Sequence, residues 1–547
     1  SPGAMDSMVN HYTAARRRRS DDAYTPDGRH GMRPDYPTIV YSEILRRLYP
    51  QVPVIAGGIE ASLRRLSHYD YWQDRLRPSI IMDAPVDIIA YGMGEKPIRE
   101  IATRLMDGAK VSELTDIPQT VVRCRAADIP KPDARNIVLA SYEQCLRDKR
   151  LQSANFREIE QQSNRMEPDT ILWQQHGHSA VKVNPMFPPM TTAEIDASFD
   201  LPYTRLPHPR YKGKRIPAYE MIRHSVNMHR GCFGGCAFCT ISAHQGKFIA
   251  SRSKESILRE VRQVTAMDDF KGYISDLGGP SANMYAMHGR DTSICRRCLR
   301  PSCLHPKPCR NLDNDHRPLL DIYHAVDALP EVKKSFVGSG VRYDLSMHRN
   351  GDKDIDNANR CYNEELIANH VSGRLKVAPE HTAPHVLDMM RKPSFDLFYD
   401  FRKIFDDVNR RKGLKQQLIP YFISSHPGCR EEDMAELAAV TRDLSMHLEQ
   451  VQDFTPTPMT LATEIYYTGY HPYTGEKVFT AVRPEDKTAQ RKYFFWYDPA
   501  YRNEIIASLR RLHRHDLISR LFPAYSRNHP QQKTSADSGS RKFRKRQ

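Results

Sequence analysis

The stretch NMHRGCFGGCAFCT, residues 227–240, contains three cysteines in a C-x3-C-x2-C spacing. An apolar run at Ile222–Met228 predicts a buried strand before it, and a helical pattern begins after Ser253. A structural zinc ion takes four protein ligands, whereas a four-iron cluster with three protein thiolates keeps one iron open for a small molecule. The stretch therefore predicts a strand–loop–helix unit with a reactive metal centre, and a zinc knuckle is the alternative.

Cys232, Cys236 and Cys239, with the aromatic Phe238 before the last cysteine, resemble the cluster motif of radical S-adenosylmethionine (SAM) enzymes. The resemblance implies that the three cysteines hold one 4Fe-4S cluster whose open iron chelates SAM. It implies that the reduced cluster cleaves SAM to a 5′-deoxyadenosyl radical. It also implies that Phe238 packs near the adenine.

The composition is that of a soluble globular protein with two or three units, at 547 residues and 27% charged side chains. No apolar run approaches the roughly 18 residues of a membrane span. The eleven cysteines cluster like metal ligands in a reducing compartment, so we expect a cytoplasmic protein. The net charge of +15 is compatible with nucleic acid, but part of it lies in a basic tail at residues 526–547, which we expect to be disordered.

Residues 1–106 show an α/β pattern. Apolar strands at Val52–Ala56 and Asp87–Tyr91 alternate with helices and end in glycines, which predicts a parallel sheet. The segments GGIEAS and YGMGEKPI resemble the Rossmann-like domain that precedes the barrel in many radical enzymes, and we expect this domain to be truncated. The usual histidine loop of cobalamin domains is missing, so cobalamin binding is not supported. Residues 107–221 are predicted to be a connector with one helix at Ser141–Arg165.

Residues 222–465 repeat a strand followed by a helix. This alternation predicts a partial six-stranded (β/α)6 barrel, whose functional groups should collect at the carboxyl ends of its strands. The predicted strands are Ile222–Met228, Gly272–Leu277, Lys334–Gly338, Gly373–Ala378, Gln417–Ile423 and Val451–Thr455.

Motifs at these strand ends resemble the cofactor contacts of radical SAM enzymes. Gly278 and Gly279 resemble the turn whose backbone oxygens accept from the methionyl amine, although Pro280 replaces its usual glutamate. Arg342 and Glu380 resemble the polar residues that reach the cofactor carboxylate or ribose. The alternatives are a barrel salt bridge between Arg342 and Glu380 and glycines that serve only tight turns.

A long insertion, residues 288–316, contains Cys295, Cys298, Cys303 and Cys309 among arginines and prolines. Four thiolates in a short loop can form a closed tetrahedral zinc site or hold an auxiliary iron–sulfur cluster. The spacing does not separate the two.

Residues 466–525 are predicted to be a last small unit, with an aromatic hairpin-like part and a basic helix at Pro499–His515. The match to one bacterial radical-enzyme family, the YgiQ-type (UPF0313) proteins, extends over nearly the whole chain, through GGIEASLRR, the cysteine motif and FTPTP. That family name implies no particular reaction.

The first hypothesis is therefore a radical SAM enzyme that acts on an unidentified substrate, with methyl transfer and methylthio transfer as candidate reactions. Its expected partners are SAM and an electron donor such as flavodoxin or ferredoxin. RNA and a small molecule both stay open as substrates, and no membrane is involved. The alternative is an iron–sulfur or zinc protein that binds nucleic acid without radical catalysis.

Overall fold

A computed structural model of the chain describes residues 6–523. The predicted disordered tail at 526–547 lies outside these residues. Before residue 224 the helices are α1 (Ser7–His11), α2 (Pro37–Leu48), α3 (Gly58–Leu63), α4 (Ile80–Asp83), α5 (Glu95–Met106), α6 (Tyr142–Arg147), α7 (Lys149–Ser163), α8 (Thr192–Phe199) and α9 (Pro217–Ile222). The strands of this part are β1 (Ile55–Gly57), β2 (His68–Asp70), β3 (Arg75–Arg77), β4 (Ile88–Ala90), β5 (Thr120–Arg125), β6 (Asn136–Val138), β7 (Ile171–His176) and β8 (Ser179–Val183).

The first part of the chain forms a six-stranded mixed sheet in the order β1-β4-β5-β8-β7-β6. Strands β1 and β4 pair in parallel, as do β6 and β7, but the other three pairs are antiparallel. The fold is therefore α/β, and the two predicted strands, β1 and β4, pair in parallel as expected. Strands β5 to β8 were not predicted, and their antiparallel pairs make the sheet mixed. Apolar periodicity shows that a strand is buried and carries no information on its direction.

The predicted connector, residues 107–221, contributes four of these six strands, so that prediction is wrong. Strands β7 and β8 form a hairpin around Gly177 and His178, and Gly177 has a φ of +59°. A two-residue turn containing glycine between alternating runs is a hairpin signal that the sequence interpretation missed. The predicted helix at Ser141–Arg165 is two helices, because Asp148 is extended and its side chain caps α7.

The second part begins at residue 225. Its strands are β9 (Ser225–Asn227), β10 (His229–Arg230), β11 (Ala250–Ser251), β12 (Tyr273–Ile274), β13 (Asp276–Gly278), β14 (His288–Gly289), β15 (Leu312–Asp313), β16 (Lys334–Ser335), β17 (Arg374–Glu380), β18 (Gln417–Ser424) and β19 (Gln450–Asp453). Its helices are α10 (Ile241–Gln245), α11 (Lys254–Thr265), α12 (Thr292–Arg296), α13 (Arg317–Asp327), α14 (Tyr343–Ser346), α15 (Lys353–Asn369), α16 (Pro384–Met389), α17 (Asp396–Lys412), α18 (Glu431–Asp443), α19 (Leu461–Thr468), α20 (Pro484–Arg491), α21 (Pro499–Arg511) and α22 (His515–Leu521).

Parallel pairing in this part follows chain order. Strand β9 pairs with β13, β12 pairs with β16, and β17, β18 and β19 form one sheet. A single parallel bridge joins Val341, which follows the third predicted strand, to Val377 in the fourth. Six strand–helix repeats with sequential parallel neighbours are what a partial barrel requires, and the curvature of that barrel stays a prediction.

The C-terminal residues share the apolar core of this second part. Tyr493, Phe494 and Leu509 belong to the same buried cluster as Val261 of α11 and Phe401 of α17. The prediction of a separate unit at 466–525 therefore does not match the packing, since apolar pattern alone does not show which neighbour a helix covers. No helix between residues 6 and 523 has the length and hydropathy of a membrane span.

A buried glutamate in α19 makes stability depend on pH. Burial raises the pKa of the Glu464 carboxyl to about 8, while Gln152 of α7 donates to its Oε2 atom at 3.2 Å. The ordinary pKa is 4.5, so folding takes up a proton between that value and about 8, and the free energy of unfolding falls as pH rises through this window.

We expect Glu464→Gln to remove this decrease in the free energy of unfolding with rising pH. The variant and the parent should be equally stable near pH 4.5, and at pH 9 the variant should be more stable by roughly 2–4 kcal/mol. Denaturant unfolding at several pH values measures the difference. The exposed Glu331→Gln is the matched control, and a parallel pH profile for parent and Glu464→Gln would contradict the prediction.

Candidate active site

The cysteine loop lies between strand β10 and helix α10. Its backbone is hydrogen-bonded to two neighbouring segments: Cys232 N–H donates to the Gly246 carbonyl oxygen at 3.1 Å, and Ala237 N–H donates to the Met390 carbonyl oxygen at 3.0 Å. Within the loop, Cys239 N–H donates to the Cys236 carbonyl oxygen at 3.1 Å. The predicted strand Ile222–Met228 starts three residues late, since Ile222 ends helix α9. The short helix α10 directly after the loop was not predicted, because its five residues are too few to show a helical period.

The three thiols are buried or half-buried and interact electrostatically. Burial raises the pKa of Cys232 to about 11 and that of Cys239 to about 12, and the neighbouring cysteines add to both shifts. A narrow pocket beneath helix α7, lined by Phe156 and Ser163, adjoins Cys236 and Cys239. Between residues 6 and 523, no three His, Cys, Asp or Glu side chains are placed to hold a single metal ion. A four-iron cluster does not require such convergence, since each thiolate binds a different iron.

Arg342 reaches the same loop from the segment that follows the third predicted strand. Its Nη1 atom donates to Cys236 Sγ at 3.4 Å, while Nε and Nη2 donate to the two oxygens of Asp344 at 2.8 and 2.5 Å. Burial alone would raise the pKa of Asp344. The charge and hydrogen bonds of the Arg342 guanidinium have the larger effect, so the pKa is lowered. The Asn283 side chain holds the Arg342 backbone through two hydrogen bonds. Arg342 N–H donates to Asn283 Oδ1 at 2.8 Å, and Asn283 Nδ2 donates to the Arg342 carbonyl oxygen at 3.0 Å. One cationic side chain is thus fixed against the cysteines.

The salt bridge considered between Arg342 and Glu380 is not the arrangement found. Arg342 pairs with Asp344, and Glu380 instead lies 3.7 Å from Lys392 Nζ. Glu380 ends strand β17 with a φ of +68°, and burial raises its pKa. Positive φ in a non-glycine residue is uncommon and concentrates at functional sites.

The glycine turn after β13 packs against the histidine before the cysteine loop. A Cβ atom at Gly279 would lie 2.3 Å from His229 Cε1, so only glycine fits there. The Gly278 carbonyl oxygen accepts from Met228 N–H at 2.8 Å as part of the strand ladder. Phe238 makes an edge-to-face contact with His426 after strand β18, with ring centroids 5.9 Å apart. The structure therefore brings the two glycines, Phe238, Arg342 and Glu380 to the end of the strands where the cysteines lie.

Several buried polar atoms at these strand ends have no protein partner. They are both ring nitrogens of His229, the hydroxyls of Ser281, Thr382 and Ser425, and Nε2 of His426. Burial lowers the pKa of His229 and of His426 to about 4, so both rings are neutral at pH 7. A buried polar atom without a partner costs about 1–3 kcal/mol, so a polar ligand fits among them. Each of these residues lies within a few positions of a strand end, but the sequence interpretation gave none of these side chains an individual role.

The second cysteine group lies in a loop closed by the antiparallel pair β14–β15. Cys298 N–H donates to the Cys295 carbonyl at 3.1 Å, and Cys309 N–H to that of Cys303 at 2.7 Å. Burial raises the pKa of Cys303 to about 11, and the other three thiols add to this shift while Lys247 opposes it. The four thiols predicted to act together are therefore neighbours.

Comparison with known proteins bears on the whole chain. A UPF0313 protein of Bacteroides thetaiotaomicron is 62% identical, covering 95% of this chain and 86% of the relative. A UPF0313 protein of Porphyromonas gingivalis is 63% identical, covering 95% and 82%. The chain belongs to the UPF0313 family.

Family models divide this UPF0313 protein differently from the sequence interpretation. A model described as radical SAM N-terminal matches residues 1–225, which confirms the radical SAM resemblance and spans the predicted first domain and connector together. A domain of unknown function, DUF3362, matches residues 449–546. Membership of the radical SAM superfamily supports an enzyme.

Solved structures similar to the UPF0313 chain include the radical SAM methyltransferase TsrM from Kitasatospora setae with cobalamin and a [4Fe-4S] cluster bound. It is 14% identical, with 84% of this chain and 76% of that chain covered and a TM-score of 0.44. The cobalamin-dependent SAM radical enzyme OxsB is 13% identical, with 78% and 44% covered and a TM-score of 0.39.

Proposed function

We propose that this UPF0313 protein is an enzyme that holds a 4Fe-4S cluster through Cys232, Cys236 and Cys239 and binds SAM beside it. The cluster and SAM belong to what the superfamily implies, and the residues present fit them. The observation that carries the proposal is the meeting of three thiols on one loop with unpaired buried polar atoms at the neighbouring strand ends. When bound and reduced, the cluster supplies the electron that breaks the S–C5′ bond of SAM to give methionine and a 5′-deoxyadenosyl radical.

The other side chains position SAM and its charge. Arg342 offsets the negative charge of the thiolates through Cys236, and Asp344 holds its guanidinium in place. Phe238 offers an apolar ring edge for the adenine, and Glu380 and the neutral His229 offer hydrogen-bonding atoms for the polar groups of SAM. Gly278 and Gly279 leave room for the Ser339 and His229 side chains beside the turn. The backbone oxygens of this turn are the proposed contact for the methionyl amine.

The family leaves the reaction open. Methyl transfer and methylthio transfer are the candidate reactions, and the substrate, whether RNA or a small molecule, is unidentified. Cobalamin is not part of the proposal. The second cysteine group takes zinc or an auxiliary cluster. We place the protein in the cytoplasm with flavodoxin or ferredoxin as donor, since its clustered thiols need a reducing compartment.

Electron paramagnetic resonance of the anaerobically reconstituted protein tests the site directly. The reduced cluster should give a signal that changes on addition of SAM, because SAM binds the open iron. The same signal should be missing from Cys236→Ala. A cluster whose signal does not respond to SAM would favour the alternative of a cluster-containing nucleic-acid-binding protein.

A further inference from the structure

The second cysteine group is attached directly to the first cysteine loop. Cys303 N–H donates to the carbonyl oxygen of Phe233 at 3.0 Å, and Ser302 Oγ donates to that of Gly234 at 2.7 Å. Phe233 is bonded to Cys232. One residue and one hydrogen bond therefore separate a ligand of the proposed cluster from a thiol of the second group.

Apolar side chains fill the space between the two groups. Cys232 and Phe233 belong to a buried cluster against which Cys303 and Cys309 pack; its other members are Met284, Met287, Leu304, Leu312 and Leu345. The buried cluster excludes water from the space between the two cysteine groups, and close packing keeps the two loops in a fixed relative position. An electron could pass between the groups with little rearrangement of the surroundings.

A buried lysine also joins the two loops. Lys247, which is 1% exposed, directs Nζ to Cys298 Sγ at 3.6 Å and donates to the Arg300 carbonyl oxygen at 2.8 Å. It follows Gly246, whose carbonyl oxygen accepts from Cys232 N–H. A fixed positive charge beside a thiolate favours a more negative, reduced state of whatever the thiolates hold.

The outer face of the second group is open and basic. Residues 295–310 contain five arginine and lysine residues and no aspartate or glutamate. Arg297, Lys307 and Arg310 are exposed, as is Arg296, which pairs with Glu167. A shallow, solvent-open recess adjoins Cys309, lined by Ile294, Arg300, Lys307 and Arg310. Surfaces of this charge steer acidic proteins into contact.

We infer that Cys295, Cys298, Cys303 and Cys309 hold an iron–sulfur cluster that relays electrons to the Cys232 loop from an acidic one-electron donor protein docked on this basic face. The inference rests on the proposed function, which requires an electron at that loop. Each relay event oxidises the donor by one electron, reduces and re-oxidises the second cluster, and reduces the first by one. No covalent bond of the protein changes.

Iron–sulfur chemistry fits this position better than zinc. Zinc has no redox chemistry and cannot pass an electron. Four thiolates are suitable ligands for both kinds of site. The contact of Cys303 with the first cysteine loop favours the kind that can pass an electron.

The first experiment removes the first site and asks what remains. The triple variant Cys232→Ala/Cys236→Ala/Cys239→Ala, reconstituted anaerobically, should keep roughly four irons and four sulfides per chain and a reducible paramagnetic signal. The intact protein should hold about twice as much iron. Zinc without iron in the triple variant, or neither metal, would overturn the inference.

The second experiment separates the relay from SAM cleavage. In Cys295→Ser/Cys298→Ser, 5′-deoxyadenosine formation driven by reduced flavodoxin should fall at least about tenfold relative to formation driven by dithionite in the same variant. Equal losses with both reductants, or an unchanged ratio, would overturn the relay. No 5′-deoxyadenosine from the intact protein with dithionite would instead contradict the proposed function.

The third experiment tests docking without touching a cysteine. Lys307→Glu/Arg310→Glu should raise the KM for flavodoxin by about tenfold at low salt. At saturating flavodoxin, the ratio of flavodoxin-driven to dithionite-driven turnover should be the same as in the intact protein. Arg410→Glu, an exposed arginine at the end of α17, is the matched control. A KM that stays the same in the double variant would remove the proposed docking face.

Discussion

Replacing Cys236 by alanine should reduce 5′-deoxyadenosine formation to background and remove roughly four irons per chain from the reconstituted protein. Three thiolates are the minimum that keeps a four-iron cluster with one open iron, and losing one leaves two irons without protein ligands. The same change removes the sulfur that Arg342 contacts at 3.4 Å, so an unpaired donor is left beside the loop. Iron content and product formation measured together should fall in parallel.

Cys361→Ala is the matched control for this variant. Cys361 is exposed on helix α15, and its replacement should change neither iron content nor product. Full activity in Cys236→Ala would show that this loop does not hold the cluster. Loss of activity with unchanged iron would place Cys236 in a role other than cluster ligation.

Replacing Gly235 by alanine should destabilise the protein strongly and loosen both cysteine groups. Gly235 has a φ of +58°, which costs an alanine about 1–2 kcal/mol. The new methyl group would also lie 2.3 Å from the Pro301 carbonyl oxygen and 2.9 Å from Ser302 Cβ, so the second loop would have to move. Overpacking of this kind adds about 1–3 kcal/mol, and the total loss should be roughly 2–5 kcal/mol.

Gly469→Ala separates the two contributions in this prediction. Gly469 ends helix α19 with a φ of +77° and no atom within 4 Å of the added Cβ, so only the backbone cost of about 1–2 kcal/mol applies. Thermal unfolding and iron content should both be worse in Gly235→Ala than in the control. Similar behaviour of the two variants would mean that the contact between the loops contributes little.

The longer strands and helices of the second part could be predicted because each has a local pattern. Helix α11 shows its buried face as Ile257, Val261 and Val264, and Ser253 caps its first turn. Strand β18 matches its predicted apolar run to within one residue. The mixed sheet of the first part was missed because the order and direction of strands depend on contacts distant in sequence, such as Val121 with Val183.

The residues of the candidate site also fall into those that the sequence could predict and those that it could not. The cysteine loop could be predicted because its spacing is local and chemically unusual, and Arg342 and Glu380 because they follow strands. Their partners Asp344 and Lys392 could not, since many acidic and basic residues would serve and only the packed structure selects one. The contact between Cys303 and Phe233 joins residues 70 positions apart and carries no sequence signal.

Product analysis of the reduced protein tests the central claim most directly. Anaerobically reconstituted protein, reduced with dithionite and given SAM, should form 5′-deoxyadenosine and methionine in equal amounts. The cysteine triple variant at positions 232, 236 and 239 should form neither. If the intact protein, with its cluster verified by iron content and spectroscopy, releases no 5′-deoxyadenosine, the account of this protein as a SAM-cleaving enzyme is contradicted.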